Sequence, residues 1–259
     1  MSVDPYICES LIDLKQKQAQ ILQTVQQEGY ALIRGLFDRK RIRQSLTTLY
    51  NHVNQPENHL ATQGVTPQKI RENTSKWSIG GHSPSQEGIS RFMLIQYNPL
   101  FQVDMLGLHG AFQQLIQVRD SLANRATLTD EQLLPTHFNA CRVQIYPAGG
   151  GFMSGHVDSR AVINLADATQ QENSQYIQLV LLLTEKGSDY QHGGAFVEKS
   201  GIKIDSETRS LSGDVLVYDG STYHGVDDID AHMPINLQDL KGRAVALATI
   251  YQVLDNKEK

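Results

Sequence analysis

Hydrophobic and polar positions follow two regimes along this chain, and the change comes near residue 136. The first regime has a helical period. Between Leu11 and Glu28 the apolar residues Leu11, Leu14, Ile21, Leu22 and Val25 recur at spacings of three, four and seven, as one face of a helix requires. Gly29 is the expected stop, and Tyr30-Ala31-Leu32-Ile33 is a short apolar run of strand character. Gly35-Leu36-Phe37-Asp38 reads as a turn, with Asp38 as N-cap of a helix from about Arg39 to Val53. Residues 54–90 are rich in Gln, Asn, Ser, Gly and Pro and keep no steady period. A stretch this long inside a compact domain is usually a functional loop or poorly ordered. A further amphipathic helix is predicted around Asp104–Asn124.

From His137 the runs shorten. Cys141–Tyr146, Tyr176–Thr184, Gly194–Glu198, Asp214–Tyr218 and Arg243–Val253 are apolar or alternating, with Gly, Ser and Asp turns between them. Strands at such intervals predict a β-sandwich or barrel. The absence of an internal repeat or low-complexity linker favours a single domain over 1–259. In it, 1–135 form a mainly helical support with substrate loops, 136–254 the β core and 255–259 a tail.

Parity assigns faces to these strands, because alternate residues point the same way. Arg142, Gln144 and Tyr146 share a face, as do His156 and Asp158. On the last strand Arg243, Val245, Leu247, Thr249 and Tyr251 oppose Ala244, Ala246, Ala248 and Ile250. The alanines suit packing against helices, and the mixed face suits a barrel interior holding one charged ligand. Leu179, Leu181 and Leu183 are assigned to the inward face of their strand.

Composition narrows the function classes. Of 259 residues 40% are hydrophobic, enough for a sizeable core, and the formal net charge is −5, from 28 acidic and 23 basic residues. No basic run suggests nucleic acid or an anionic membrane as partner. Cys8 and Cys141 lack metal-binding spacing, and a reduced cytoplasmic protein accounts for them most simply. The N-terminus does not read as a signal peptide, and no apolar run approaches the roughly 20 residues that cross a bilayer. The expectation is a soluble, cytoplasmic protein whose oligomeric state the sequence leaves open.

The chemistry concentrates in His156-Val157-Asp158, His224 and Arg243. Two neutral imidazoles and a carboxylate fill three facial positions of an octahedral metal. The open positions suit Fe(II) with a bidentate 2-oxo acid and O2. An arginine's planar fork is the natural partner for the far carboxylate of such a co-substrate. A lone His-x-Asp is a weak signal, and its bland alternative is an Asx-type turn beside a satisfied histidine. Context strengthens it: 68 residues after His156, His224 follows a strand that opens with Gly213-Asp214. His192, beside Gly193-Gly194, is the rival second ligand, and a turn histidine is more often solvated or structural. His52, His59, His82, His109, His137 and His232 lack ligand spacing and read as ordinary surface or core residues. A Ser-His-Asp hydrolase is disfavoured, for no Gly-x-Ser-x-Gly elbow appears.

Residues 140–253 resemble the double-stranded β-helix core of the Fe(II)- and 2-oxoglutarate-dependent oxygenases. Tyr146-Pro147-Ala148-Gly149-Gly150-Gly151 leading to His156-Val157-Asp158, and His192-Gly193-Gly194-Ala195-Phe196, resemble the prolyl-hydroxylase-like branch. Glu28-Gly29-Tyr30-Ala31-Leu32-Ile33-Arg34-Gly35-Leu36-Phe37 is similar to the opening of small-molecule hydroxylases, phytanoyl-CoA-hydroxylase-like ones included. The resemblance implies iron at His156, Asp158 and His224, the 2-oxoglutarate C5 carboxylate at Arg243, and a hydrogen bond from Tyr146 to the same co-substrate. It also implies O2-dependent release of succinate and CO2 coupled to oxidation of an unactivated C–H. Radical halogenases of the superfamily lack the carboxylate, so Asp158 argues for hydroxylation, desaturation or cyclisation. Two departures stand out. The apolar Leu179, Leu181 and Leu183 replace a polar or aromatic co-substrate contact, and the 17 residues between His224 and Gly242 are a longer excursion than that branch usually has. Arg209, which precedes the Gly-Asp strand, is a poor substitute for Arg243.

The substrate is expected above the metal, contacted by Arg142, Arg160 and the loops 74–92 and 160–176. Either arginine pairing with a carboxylate would favour an amino acid or other small acid; each reads equally well as a surface or structural residue. A small molecule is the expected substrate, since no appended domain recognises a macromolecule. The alternatives are a peptidyl (prolyl-type) hydroxylase and a non-catalytic sensor of metal or 2-oxo acid. A nucleic-acid demethylase would need a basic channel that the composition does not show.

Overall fold

The computed structural model describes residues 3–55, 69–78, 90–171 and 175–253. The tail at 255–259 and much of 54–90 lie outside the described residues. Helix α1 (Leu11–Glu28) begins where the Ser10 hydroxyl accepts the Asp13 N–H at 3.1 Å, and buries Leu14, Ile21 and Val25. It ends at Gly29, whose φ of 86° favours a residue without Cβ. At α2 (Arg39–Val53) the Asp38 carboxylate accepts the N–H groups of Lys40 and Arg41 at 2.8 and 3.2 Å. Before α3 (His109–Leu122) the Asp104 carboxylate does the same for Leu108 and His109. A short α4 (Asp130–Leu133) and an unexpected α5 (Ser159–Thr169) complete the helices.

The N-terminal part supplies β1 (Tyr6–Ile7), β2 (Ala31–Arg34), β3 (Thr74–Ser78), β4 (Ser90–Arg91) and β5 (Met93–Tyr97). The core strands are β6 (His137–Pro147), β7 (Gly151–His156), β8 (Ile177–Leu182) and β9 (Gly194–Lys199). They continue with β10 (Ile202–Asp205), β11 (Val215–Asp219), β12 (Tyr223–Ile229) and β13 (Gly242–Gln252). One sheet runs β1-β2-β11-β8-β13-β6-β5-β3 and the other β10-β9-β12-β7-β4. From β6 onward the chain passes back and forth between the two sheets. The result is a jelly roll, the double-stranded β-helix expected from the sequence.

The eight-stranded sheet is buried on both sides. Its outer face, with Val143, Ile145, Ala244 and Ala246, packs under Leu14, Ile21 and Val25 of α1 and Phe112, Leu115 and Ile116 of α3. Its inner face, with Tyr146, Val180, Val245 and Leu247, meets Val197 and Val226 of the smaller sheet. Ala244, Ala246 and Ala248 face the helices as parity predicts.

β1 and β2 extend one edge of the large sheet while β5 and β3 extend the other. Two expectations need correction. The regions expected as loops at 74–92 and 160–176 contain strands β3 and β4 and helix α5. Leu179, Leu181 and Leu183 belong to the outer, helix-facing core, whereas Gln178, Val180 and Leu182 face inward. A strand buried on both faces is apolar at every position, so alternation cannot report its parity. The one polar residue, Gln178, was the available cue. No described helix is long and apolar enough to cross a membrane.

Candidate metal centre and its cavity

β7 and β12 run antiparallel with His156 directly opposite His224, so both imidazoles project from one face with ring centroids 4.4 Å apart. Close approach depends on glycine: a Cβ on Gly155 would collide with the Tyr223 ring, and one on Gly225 would lie 2.7 Å from the Met153 carbonyl. His156 Nδ1 lies 3.0 Å from the Ser154 carbonyl oxygen and His224 Nδ1 2.9 Å from that of Thr222. A carbonyl only accepts, so each Nδ1 carries the proton and each Nε2 keeps its lone pair for a metal. Burial holds the His224 pKa below the ordinary imidazole value; nearby His156 lowers it further, and Asp158 opposes both.

Asp158 follows β7 at the N-cap position of α5, yet its side chain makes no capping hydrogen bond. The Asx-type alternative therefore fails. Instead the carboxylate lies 4.0 Å from His156 Nε2 through Oδ1 and 3.9 Å from His224 Nε2 through Oδ2. Oδ2 is buried and has no hydrogen-bond partner among the described residues. A buried carboxylate oxygen without a donor is costly, and a cation held between the three side chains removes that cost. Neutral imidazoles with one carboxylate suit ferrous iron, so the residues fit the group the sequence implies. Tyr218, unassigned by sequence reasoning, stacks on His224 with centroids 4.2 Å apart.

A cavity of ≈ 550 Å³ lies between the sheets and reaches from this centre to Arg243. Arg243 is buried with its guanidinium 5.2 Å from the Tyr146 ring centre. Its Nε donates to both oxygens of Glu207 at 2.9 and 3.0 Å, and Nη2 donates to Oε1 at 2.7 Å. Glu207 also accepts from the Tyr190 hydroxyl at 2.5 Å and the Ala195 N–H at 3.0 Å. Burial disfavours its charge, but the Arg243 guanidinium and these hydrogen bonds outweigh that and hold its pKa below the ordinary carboxylate range. Sequence reasoning missed Glu207, which lies in the turn between β10 and β11. The Tyr146 hydroxyl donates to Gln144 Oε1 at 3.1 Å, and burial raises its pKa to about 12.

The two proposed substrate arginines differ. Arg142 is buried on β6 and lines the cavity; Arg160 lines it from the exposed first turn of α5. His192 stands apart from the centre, grouped with the buried Asp230 and the exposed His232. The spacing of His232 gave no hint of that group. Arg209 pairs with Asp4 through an exposed side chain and does not line the cavity.

No family profile matches the sequence, and no curated protein matches it in sequence. Solved structures do match. A putative 2OG-Fe(II) oxygenase family protein of Caulobacter crescentus is similar at a TM-score of 0.57 and 13% identity, over 98% of this chain and 87% of that one. A full-length Neurospora crassa protein crystallised with α-ketoglutarate and thymine gives 0.57 at 12% identity, over 95% and 85%. A Pseudomonas putida prolyl-4-hydroxylase gives 0.51 at 13% identity, over 90% and 97%. At such identities the likeness is one of fold. The chain has the double-stranded β-helix fold of the Fe(II)/2-oxoglutarate oxygenases.

Proposed function

We propose that this protein is an Fe(II)- and 2-oxoglutarate-dependent dioxygenase that oxidises an unactivated C–H of a small molecule. The observation that carries the reading is the convergence of two Nε2 lone pairs and the orphaned Asp158 Oδ2 on the wall of the cavity. His156, Asp158 and His224 hold the iron. When bound, iron and 2-oxoglutarate supply the oxidising power, one oxygen atom of O2 entering succinate as CO2 leaves and the other serving oxidation of the substrate.

The chain's own groups position the reactants. The Ser154 and Thr222 carbonyls fix both imidazoles in their metal-binding tautomer. Arg243 receives the distal carboxylate of 2-oxoglutarate. Glu207 occupies the Nε/Nη2 side of its guanidinium, which would leave Nη1 to donate to that carboxylate. The Tyr146 hydroxyl exchanges Gln144 for an oxygen of the co-substrate. Val180, Val245 and Leu247 form apolar wall that limits water around the reacting centre. The small-molecule reading is supported by a cavity between two sheets and by the lack of a basic surface run. Cys8 and Cys141, free and buried, accord with a cytoplasmic setting.

The deciding experiment mixes the protein anaerobically with Fe(II) and 2-oxoglutarate, then admits O2 with amino acids, small acids or proline-containing peptides. A visible charge-transfer band followed by succinate release with a small molecule is the expected result. Succinate only with peptides makes it a peptidyl hydroxylase. Neither band nor succinate rejects the oxygenase and leaves a non-catalytic sensor.

A further inference from the structure

Three arginines with buried side chains are found among the described residues, and they are not equivalent. Arg119 pairs with Asp120 at 2.8 Å and Arg243 with Glu207 at 2.7 Å. Arg142, 7% exposed, has no carboxylate within ion-pair distance among the described residues. Among the described residues its side chain makes one hydrogen bond, from Nη1 to the Ala140 carbonyl at 3.2 Å, and the buried Nε has no partner. The guanidinium lies 5.1 Å from the Tyr251 ring centre, an attraction that does not satisfy its N–H groups. An unpaired buried charge costs several kcal/mol, and a guanidinium cannot escape by losing its proton.

The surroundings point to a ligand. Arg142 is the register partner of Leu247 on β13 and of Tyr97 on β5, and all line the inner face. Thr249, two positions along β13, also lines the cavity, and its buried Oγ1 has no hydrogen-bond partner among the described residues. Along β6 the distance from Tyr146, beside Arg243, back to Arg142 is roughly 13 Å at about 3.3 Å per residue. Of the arginines that line the cavity, two are buried, one neutralised by Glu207 and one not.

We infer that Arg142 is the anchor for a carboxylate of the primary substrate, which makes that substrate a small organic acid with an apolar or aromatic body. The free Nε/Nη2 edge accepts a carboxylate through two parallel hydrogen bonds. Thr249 supplies a further hydroxyl, while Tyr251 and Leu247, which line the cavity, pack the body. The turnover half of this inference rests on the oxygenase reading; the binding half does not.

The test uses the full chain loaded with Zn(II) and 2-oxoglutarate and follows the Arg142 Nε–Hε resonance, assigned by its loss in Arg142→Lys. The probes are the proteinogenic amino acids, benzoate and phenylacetate, each beside its primary amide. At least one acid should shift the resonance saturably and bind at least about tenfold more tightly than its amide, as a charge-assisted pair predicts. Arg142→Gln should weaken that acid by at least about tenfold while changing 2-oxoglutarate affinity less than about threefold. The inference is overturned if no acid moves the resonance up to about 50 mM, if acid and amide bind alike, or if 2-oxoglutarate itself is what moves it. The wild-type measurement stands even if Arg142→Gln fails to fold. With iron and air, the acid that binds should stimulate succinate release. An acid bound at Arg142 with no succinate under any condition rejects the oxygenase reading and leaves the anion site in place.

Discussion

His156, Asp158 and His224 line the cavity, while His192 and His232 are exposed beside the buried Asp230, and in each set the ligand atoms fall within 4.8 Å of one another. The difference lies in what each group already does. In the inner set both Nδ1 atoms are turned to backbone carbonyls, and Asp158 Oδ2 has no partner among the described residues. In the outer set Asp230 is saturated by the fold: Oδ1 accepts the Gln191 and His192 N–H groups at 3.1 and 2.7 Å, and Oδ2 accepts the former at 3.2 Å. Its carboxylate shapes a turn, and the His192 ring stands in water with 71% of its side chain exposed. Two similar ligand sets thus separate on unsatisfied hydrogen-bonding capacity. Proximity alone does not distinguish them.

The largest expected effect comes from emptying the inner set. Asp158→Ala, His156→Ala or His224→Ala should remove iron binding and lower succinate formation by about three decades or more. The several kcal/mol that a metal supplies translate at about 1.4 kcal/mol per decade. Metal content by atomic absorption and succinate by chromatography check it. Near-normal turnover in any of the three would refute its assignment.

A smaller effect is expected at the other end of the cavity. Arg243→Ala should raise the 2-oxoglutarate requirement by about 10–100-fold and lower stability by about 3–5 kcal/mol, because Glu207 is left charged, buried and unpaired. An unchanged 2-oxoglutarate KM would move the co-substrate's distal carboxylate elsewhere.

The pair also has a pH signature. Glu207 has a folded pKa below its ordinary 4.5, so the unfolded chain takes up the proton first as pH falls. Its stabilising contribution is therefore complete above about pH 4.5 and disappears as pH drops through the lower folded value. Glu207→Gln cannot titrate. Its stability deficit against the wild type should shrink on acidification below pH 4.5, read as denaturant midpoints. A deficit constant with pH would mean that folding does not lower the Glu207 pKa.

What the sequence made legible follows from which forces act locally. α1 and α2 were placed from one-sided burial and from caps, since Gly29 and Asp38 act within a turn of their own positions. The inner cluster was legible because His156 and Asp158 share a parity and His224 follows a bounded strand. β8 was assigned the wrong way round because both its faces are apolar. Helix α5 carries a single buried leucine, Leu165, too little for a helical stripe to stand out. Glu207 was invisible for a different reason: it lies 36 positions from Arg243, and only the crossing of strands between the sheets joins them. Asp230 and His192 meet in the same non-local way.

The smallest effect tests the comparison most directly. His192→Ala, His232→Ala and the double substitution should leave metal content at one equivalent and turnover unchanged, with stability within about 0.5 kcal/mol of wild type. The His192 and His232 rings meet edge to face with centroids 5.1 Å apart, and exposed rings of this kind add little. Asp230→Asn keeps an oxygen that can accept the backbone N–H groups, so it separates turn shaping from charge. If Asp230 only shapes the turn, this variant should melt near the wild type and keep its metal. A second equivalent of tightly bound metal in the wild type, lost in the double histidine substitution, would show that a carboxylate saturated by backbone N–H groups still ligates. Unsatisfied hydrogen-bonding capacity would then no longer separate the two clusters.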